Sequence, residues 1–122
     1  AVETEAVYVC SDLIDIVSRD SVLTFKVTTN TPDAYNPNID YLFSSTARLQ
    51  PEIEILAILL TGIGEDGVKG TILINESGGR CIAESEKSAI VYGMPARAKE
   101  LVKDIEVKTL DEIINAIQTF GE

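Results

Sequence analysis

The apolar and polar positions divide the chain into a strand-rich start and a longer part in which strands and helices alternate. Apolar or alternating runs predict three strands, over residues 6–10, 13–17 and 22–27. The second and third of these should form an antiparallel hairpin. Apolar residues at helical spacing then predict a helix over residues 37–49, which would begin at Pro37 with Asn36 as its N-cap.

From Glu54 onward the pattern indicates an α/β domain. The near-continuous apolar run at residues 54–60 is typical of a central parallel strand that is buried on both faces. The elements predicted after it are a helix over 68–77, a strand over 80–85, a helical turn over 85–90, a short helix from Pro95, a strand over 105–108 and a terminal helix. This alternation predicts a doubly wound α/β fold with a mostly parallel sheet and an antiparallel hairpin near the N-terminus.

Local signals mark where several of these elements begin and end. Two glycines at 78–79 would close the helix over 68–77. Ser85 would cap the helical turn, and Thr109 with Glu112 would form a capping box for the terminal helix. Leu110, Ile113, Ile114 and Ile117 should give the terminal helix an apolar stripe.

Length and composition bound the class of protein. The chain has 122 residues, 45% hydrophobic and 25% charged, so residues 1–122 fit one globular domain. No apolar segment reaches the roughly 20 residues that span a bilayer. The start lacks the basic region of a signal peptide and an initiator methionine, which suggests a processed, cut or engineered start at Ala1. We expect a cytoplasmic protein without membrane insertion.

Charge and cysteine content restrict the partners. The net charge of -10 disfavours a nucleic-acid or anionic-membrane partner. Cys10 and Cys81 lie far apart in apolar runs, and we expect buried, reduced thiols, which fits a cytosolic protein. No spacing typical of metal ligands is present, and we expect neither a metal nor a cofactor.

The chain contains no histidine. This absence excludes a self-contained Ser-His-Asp or Cys-His device, a His-ligated metal and the commonest general base. Any chemistry that needs an imidazole therefore requires residues that this sequence does not contain.

The segment "LAILLTGIGEDGVKG" at 56–70 carries Gly62, Gly64 and Gly67, which fit the G-x-G-x-x-G pattern of dinucleotide-binding loops. In that interpretation Glu84, about 20 residues on, would bind the ribose. However, Glu65 and Asp66 would place two carboxylates against a pyrophosphate, and each contact would be repulsive. The charge pattern therefore disfavours a nucleotide-binding module.

Asp66 has two other interpretations. Aspartate is a favoured helix N-cap, and its charge suits the helix dipole. Alternatively, Asp66 lies at the carboxyl end of a predicted parallel strand, where α/β active sites gather, and would orient an imidazole. The segment alone favours the cap, because caps greatly outnumber triads.

The wider sequence favours the orienting aspartate. "LLTGIGEDGVKG" resembles the L-T-G-M-G-x-D-G-x-x-G motif of the protein-glutamate methylesterases of bacterial chemotaxis, the CheB catalytic domain. Three other segments are similar to family motifs in the same order: "VYVCSD" to V-Y-I-A-P-x, "NPNIDYLFSSTA" to P-S-V-D-x-L-F-x-S-A-A, and "GGRCIAESEKSAIVYGMP" to G-G-x-x-I-A-Q-x-x-x-x-x-V-V-x-G-M-P. The resemblance covers essentially the whole chain, with departures at Cys10, Ser11 and Asn38 that affect loop details.

The resemblance implies a Ser-His-Asp triad on a doubly wound sheet. Such enzymes hydrolyse glutamyl methyl esters on methyl-accepting chemotaxis receptors, and often deamidate glutamines. The resemblance assigns the triad aspartate to Asp66 and an oxyanion-binding backbone N–H to Ile63, where the family has methionine. The loops it assigns to the site contain Gly62, Gly64, Gly67, Gly93 and Met94.

The triad nucleophile and base are missing from this sequence. The family carries them in Gly-Ser-Thr-Gly-Gly and Gln-His-Met-Pro segments, and neither segment occurs here. We therefore expect an N-terminally truncated methylesterase domain that is inactive alone and self-associates through exposed sheet edges. The rival hypotheses are a non-catalytic relative that binds the receptor or an adaptor, and the nucleotide-binding module.

Overall fold

The computed structural model describes residues 2–9, 13–28 and 39–121. Within these ranges the strands are β1 (Leu13–Arg19), β2 (Val22–Thr28), β3 (Leu56–Leu59), β4 (Arg80–Glu84) and β5 (Glu106–Lys108). The helices are α1 (Ile39–Ala47), α2 (Val68–Glu76), α3 (Met94–Leu101) and α4 (Leu110–Thr119). None of these helices is long and apolar enough to cross a bilayer.

The main sheet has three parallel strands in the order β3-β4-β5. Alternate residues of β3 and β4 point to opposite faces, because the side-chain period of a strand is two. Residues Ala57, Leu59, Cys81 and Ala83 face one core together with residues of α1, α2 and α3. Leu56, Ile58 and Ile82 face a second, smaller core with α4. Helices on both faces of a parallel sheet confirm the predicted doubly wound α/β fold.

β3 differs from its expected position. Among the described strands it lies at the edge of the sheet, and β4 lies at the centre. Only alternate residues of β3 are fully buried. An apolar run indicates that a strand is covered on its faces, but strand order depends on pairing with residues distant in sequence, which the run does not encode.

The predicted hairpin is confirmed. β1 and β2 pair antiparallel from Leu13 opposite Thr28 to Arg19 opposite Val22. The turn residues Asp20 and Ser21 both have positive φ, as a tight two-residue hairpin requires. Contacts with α1 hold the hairpin to the rest of the chain: the Ile16 N–H donates to Ser45 Oγ at 2.9 Å, and the Tyr41 hydroxyl donates to Asp15 Oδ2 at 2.9 Å.

The strand predicted over residues 6–10 is wrong for the residues described. Residues 6–9 join no sheet, and Val7 and Val9 are each 93% exposed. Tyr8 instead packs edge-on against Phe25, with 4.7 Å between ring centroids. Apolar alternation alone does not make a strand, because a strand also needs a neighbouring backbone to pair with. Cys10 lies outside the described residues.

The predicted helix ends are largely confirmed. α2 ends in a Schellman motif, in which the Gly78 N–H donates to Asn75 O and the Gly79 N–H donates to Ile74 O. Thr109 and Glu112 form the capping box of α4. α1 falls inside the predicted range of 37–49, and the expected Asn-Pro start lies outside the described residues.

The apolar stripe of α4 is only partly buried. Ile113 and Ala116 are buried against the second core, whereas Leu110, Ile114 and Ile117 are 44%, 47% and 55% exposed. The helix packs on β4 and β5, and Leu56 and Ile58 of β3 border the same small core. Of the four residues of the predicted stripe, only Ile113 is therefore buried.

Cys81 is a free, buried thiol, as expected. Its Sγ lies 3.6 Å from Thr71 O, to which it donates. Burial, with a smaller contribution from the nearby charge of Glu106, raises the pKa of the Cys81 thiol to about 11. The thiolate is therefore strongly disfavoured near neutral pH, and Cys81 is a structural side chain.

Candidate functional site

The loop after β3 and the loop before α3 contact each other through their backbones. The Gly62 N–H donates to Val91 O at 2.9 Å, and the N–H groups of Gly93 and Met94 both donate to Gly62 O, at 3.1 and 2.9 Å. A Cβ on Gly93 would lie 2.9 Å from Gly62 O, so this approach requires glycine. The two glycine-bearing loops predicted for the site are thus adjacent.

Ile63 follows Gly62 in the loop after β3 and is exposed. Its side chain is 85% exposed, and its backbone N–H donates to no acceptor within residues 2–9, 13–28 and 39–121. An unengaged amide beside the carboxyl edge of the sheet is a suitable donor for an anionic oxygen. The assignment of this amide to an oxyanion stays a prediction.

The carboxylate of Asp66 binds the start of α1. Its Oδ2 accepts from the Ile39 N–H at 2.8 Å, and its Oδ1 accepts from the Asp40 N–H at 3.0 Å. The cap interpretation of Asp66 therefore holds for a helix 26 residues earlier and not for α2, the helix that follows it. The N-cap of α2 is Gly67, which has no side chain with which to cap the helix.

The start of α2 is capped instead by Asp40. Its Oδ1 accepts from the Gly67 N–H at 2.9 Å and from the Gly70 N–H at 2.8 Å. We call these four hydrogen bonds the reciprocal caps, because each helix presents an aspartate to the start of the other. Sequence reasoning missed Asp40, and its only local signal is an acid in the first turn of α1.

The reciprocal caps fix the Asp66 carboxylate but do not saturate it. A carboxylate has about four acceptor positions, and two of them are used here by Ile39 and Asp40. Asp66 is partly exposed and borders a groove of about 530 Å³ between α2 and α3. The carboxylate therefore keeps acceptor positions for a further donor.

An ion pair joins the site loop to α3. The Arg97 Nε lies 2.7 Å from Glu65 Oε1, and its Nη1 lies 3.0 Å from Glu100 Oε2. Hydrogen bonds from these carboxylates raise the pKa of the Arg97 guanidinium above its usual value. All three side chains are largely exposed, so the ion pairs contribute little to stability. They connect Glu65, the residue before Asp66, to Arg97 of α3.

Glu84 is a buried carboxylate behind the site loop. It is 3% exposed, and its Oε1 accepts from the Thr61 N–H at 2.8 Å while its Oε2 accepts from the Ser88 hydroxyl at 2.7 Å. The Ser88 Oγ in turn accepts from the Leu110 N–H at 3.0 Å. Glu84 thus ties the end of β3 to the start of α4.

These contacts occupy the hydrogen-bonding groups that a dinucleotide would need. The Gly67 and Gly70 amides that a phosphate would need already bind Asp40, and the carboxylate that would bind a ribose is buried on Thr61 and Ser88. Within the described residues no group of three or more histidine, cysteine, aspartate or glutamate side chains is placed to hold a metal ion.

A family model described as CheB methylesterase matches residues 1–117. The chain belongs to the CheB methylesterase family. It is 46% identical over 67 residues to protein-glutamate methylesterase/protein-glutamine glutaminase 5 of Myxococcus xanthus, which covers 55% of this chain and 19% of the relative. It is 38% identical over 92 residues to the protein-glutamate methylesterase/protein-glutamine glutaminase of Bacillus licheniformis, covering 75% of this chain and 26% of the relative.

The fold matches a solved member of the CheB family. The catalytic domain of Thermotoga maritima CheB methylesterase superposes with a TM-score of 0.76 at 24% identity, covering 88% of this chain and 57% of that chain. The chain spans about a fifth to a quarter of the length of these two curated relatives. The match to these two relatives therefore concerns one part of their length.

Glu84 allows a test of how the site loop is held. Glu84→Gln should leave the free energy of unfolding within about 1 kcal/mol of wild type, because the amide oxygen still accepts from Thr61 and the amide nitrogen can donate to Ser88. Glu84→Ala should lower it by about 1–3 kcal/mol, because the Thr61 N–H and the Ser88 hydroxyl lose the acceptors that the buried carboxylate gives them. Urea unfolding at pH 7 measures both.

The control for this test is Glu86→Gln and Glu86→Ala, at an exposed position two residues further on. Both should be close to wild type. A Glu84→Ala variant as stable as wild type, or a Glu84→Gln variant as damaged as the alanine variant, would contradict the role given to these two hydrogen bonds.

Proposed function

We propose that this chain is the part of a protein-glutamate methylesterase that supplies the orienting aspartate and one oxyanion donor of a Ser-His-Asp triad. Asp66 would accept from the imidazole N–H and hold the correct tautomer, and the Ile63 N–H would bind the oxyanion. The observation that carries the proposal is the Asp66 carboxylate, held by two α1 amides at the carboxyl edge of a parallel sheet with acceptor positions left over.

The nucleophile and base would come from residues that this sequence does not contain, because it has no histidine. Three serine hydroxyls already donate hydrogen bonds: Ser45 to Leu42 O, Ser77 to Leu73 O and Ser88 to Glu84. None of them has an imidazole partner, because the sequence contains no histidine. The 122 residues alone are therefore proposed to be inactive.

The substrate class follows from the relatives' names, which combine methylesterase and glutaminase. Serine attack on a glutamyl methyl ester forms an acyl-enzyme and releases methanol, and water then releases the free carboxylate. The same site would deamidate glutamine, because a primary amide passes through a similar tetrahedral intermediate and releases ammonia. The partner would be the cytoplasmic part of a methyl-accepting chemotaxis receptor.

A second candidate is a non-catalytic relative that binds the receptor or an adaptor. The absence of histidine from the sequence favours it, because such a module needs the fold but no triad. The two candidates differ in what happens when a serine- and histidine-bearing segment is supplied.

Methanol release from methylated receptor tests the proposal. The 122-residue chain should release none above the buffer rate. A fusion that places the Gly-Ser-Thr-Gly-Gly and Gln-His-Met-Pro part of a family member ahead of residue 1 should be active. In that fusion Asp66→Asn should lower kcat about ten-thousandfold, because the imidazole loses its orienting acceptor.

Asp104→Asn is the matched control, since Asp104 is exposed and asparagine tolerates its positive φ. It should leave kcat unchanged. Release of methanol by the chain alone would overturn the need for the missing residues. An inactive but folded fusion would favour the non-catalytic candidate, and full activity of the Asp66→Asn fusion would overturn the role of Asp66.

We also propose that the chain self-associates through its exposed sheet edge and apolar helix face. No described strand pairs with the outer edge of β3, and three apolar residues of α4 are about half exposed. Light scattering should give a mass above that of one chain, rising with concentration. A monomer at every concentration with a cooperative melt would contradict this.

A further inference from the structure

We propose that Asp40 is a positioning residue for Asp66, acting through the start of α2. This inference rests on the proposed role of Asp66 in the triad. Asp40 contacts no residue of the proposed chemistry with its carboxylate. Its Oδ1 binds the two amides that begin α2, Gly67 at 2.9 Å and Gly70 at 2.8 Å.

Asp40 takes part in both directions of the reciprocal caps. Its backbone N–H donates to Asp66 Oδ1 at 3.0 Å, while its side chain accepts from the residue that follows Asp66. Asp66 is therefore held on both sides by the first turn of α1: its carboxylate by backbone amides and its chain neighbour by the Asp40 carboxylate. A shift of the first turn of α1 would therefore displace Asp66, and a shift of Asp66 would displace that turn.

The atoms around the reciprocal caps are closely packed. Gly67 has a φ of +107°, and a Cβ there would lie 3.0 Å from both Ile39 Cγ2 and Leu59 Cδ2. A Cβ on Gly70 would lie 3.3 Å from the Asp40 Cα and would contact Phe43. The two helices therefore approach each other at Asp40 through glycine, which brings its carboxylate within reach of two amides of α2.

Without the Asp40 carboxylate, α2 would begin with no side-chain cap, because its N-cap residue is glycine. The amides of Gly67 and Gly70 would then donate only to water. The turn that contains Asp66 would lose its hydrogen bonds to α1 through Asp40. The needed feature is an oxygen at the Oδ1 position, so asparagine should replace aspartate, whereas alanine and the longer glutamate should not.

A purely local cap predicts a different pattern. If Asp40 served α2 alone, its removal would disturb Gly67 and Gly70 but leave Asp66 where it is. The Ile39 amide distinguishes the two cases, because its hydrogen-bond acceptor is Asp66 Oδ2 and not the Asp40 carboxylate.

Amide hydrogen exchange, followed by NMR on the 122-residue chain, tests this. In Asp40→Ala, exchange at Gly67, Gly70 and Ile39 should accelerate about tenfold or more, the equivalent of one lost hydrogen bond to a charged group. Asp40→Asn should exchange close to the wild-type rates at all three. Asp111→Ala, which removes an exposed first-turn acid from α4, is the matched control and should change none of them.

Loss of protection at Gly67 and Gly70 with unchanged exchange at Ile39 would overturn the proposal, and so would an Asp40→Asn variant as perturbed as the alanine variant. If Asp40→Ala does not fold, Asp40→Glu carries the test. It keeps the charge but displaces the acceptor, so it should also accelerate exchange at Ile39, and unchanged exchange there would overturn the proposal.

The active fusion gives a second readout. Asp40→Ala should lower kcat about a hundredfold with KM unchanged, since a misplaced orienting group affects the chemical step. Asp40→Asn should restore most of the rate. A rise in KM with unchanged kcat would overturn the positioning role. If the exchange pattern appears but the fusion is inactive, the positioning stands and the methylesterase proposal fails.

Discussion

The Asp66 carboxylate lies at the start of α1 and the Asp40 carboxylate lies at the start of α2, so each helix receives its cap from the other. Both helix starts carry the positive end of a helix dipole, which suits two carboxylates that would otherwise repel each other. These reciprocal caps define the geometry of the turn after β3. The glycines at Gly67 and Gly70 let the two helix ends approach closely enough for them to form.

The rest of the candidate site is arranged around that turn. Gly62, at its beginning, accepts from Gly93 and Met94 and so brings α3 to the same edge of the sheet. Glu84 accepts from the N–H of Thr61, the residue before Gly62. The loop is therefore fixed at both ends, and its middle carries the exposed Ile63 amide and the partly free Asp66 carboxylate. Family membership explains why such a loop exists, and its contacts explain how it is held.

Local features were predictable because their causes are local. The hairpin, the glycine end of α2 and the capping box of α4 depend on residues within a few positions of one another. Features that depend on distant partners were not. The sequence marked Asp66 as a cap or an orienting group, but its partners Ile39 and Asp40 lie 27 and 26 residues away. For the same reason the apolar pattern does not indicate that β3 lies at the edge of the described sheet, that residues 6–9 join none of the described strands, or that Ile117 is half exposed.

A double-mutant cycle on the free energy of unfolding tests the reciprocal caps most directly. Asp40→Ala and Asp66→Ala each remove two hydrogen bonds and disturb the two that remain. The double variant should therefore lose less than the sum, with a coupling of about 0.5–3 kcal/mol. Asp40→Ala combined with Asp111→Ala should be additive. Additivity of the Asp40 and Asp66 variants within the same error would contradict the account, because two independent caps would then explain all four hydrogen bonds of the reciprocal caps.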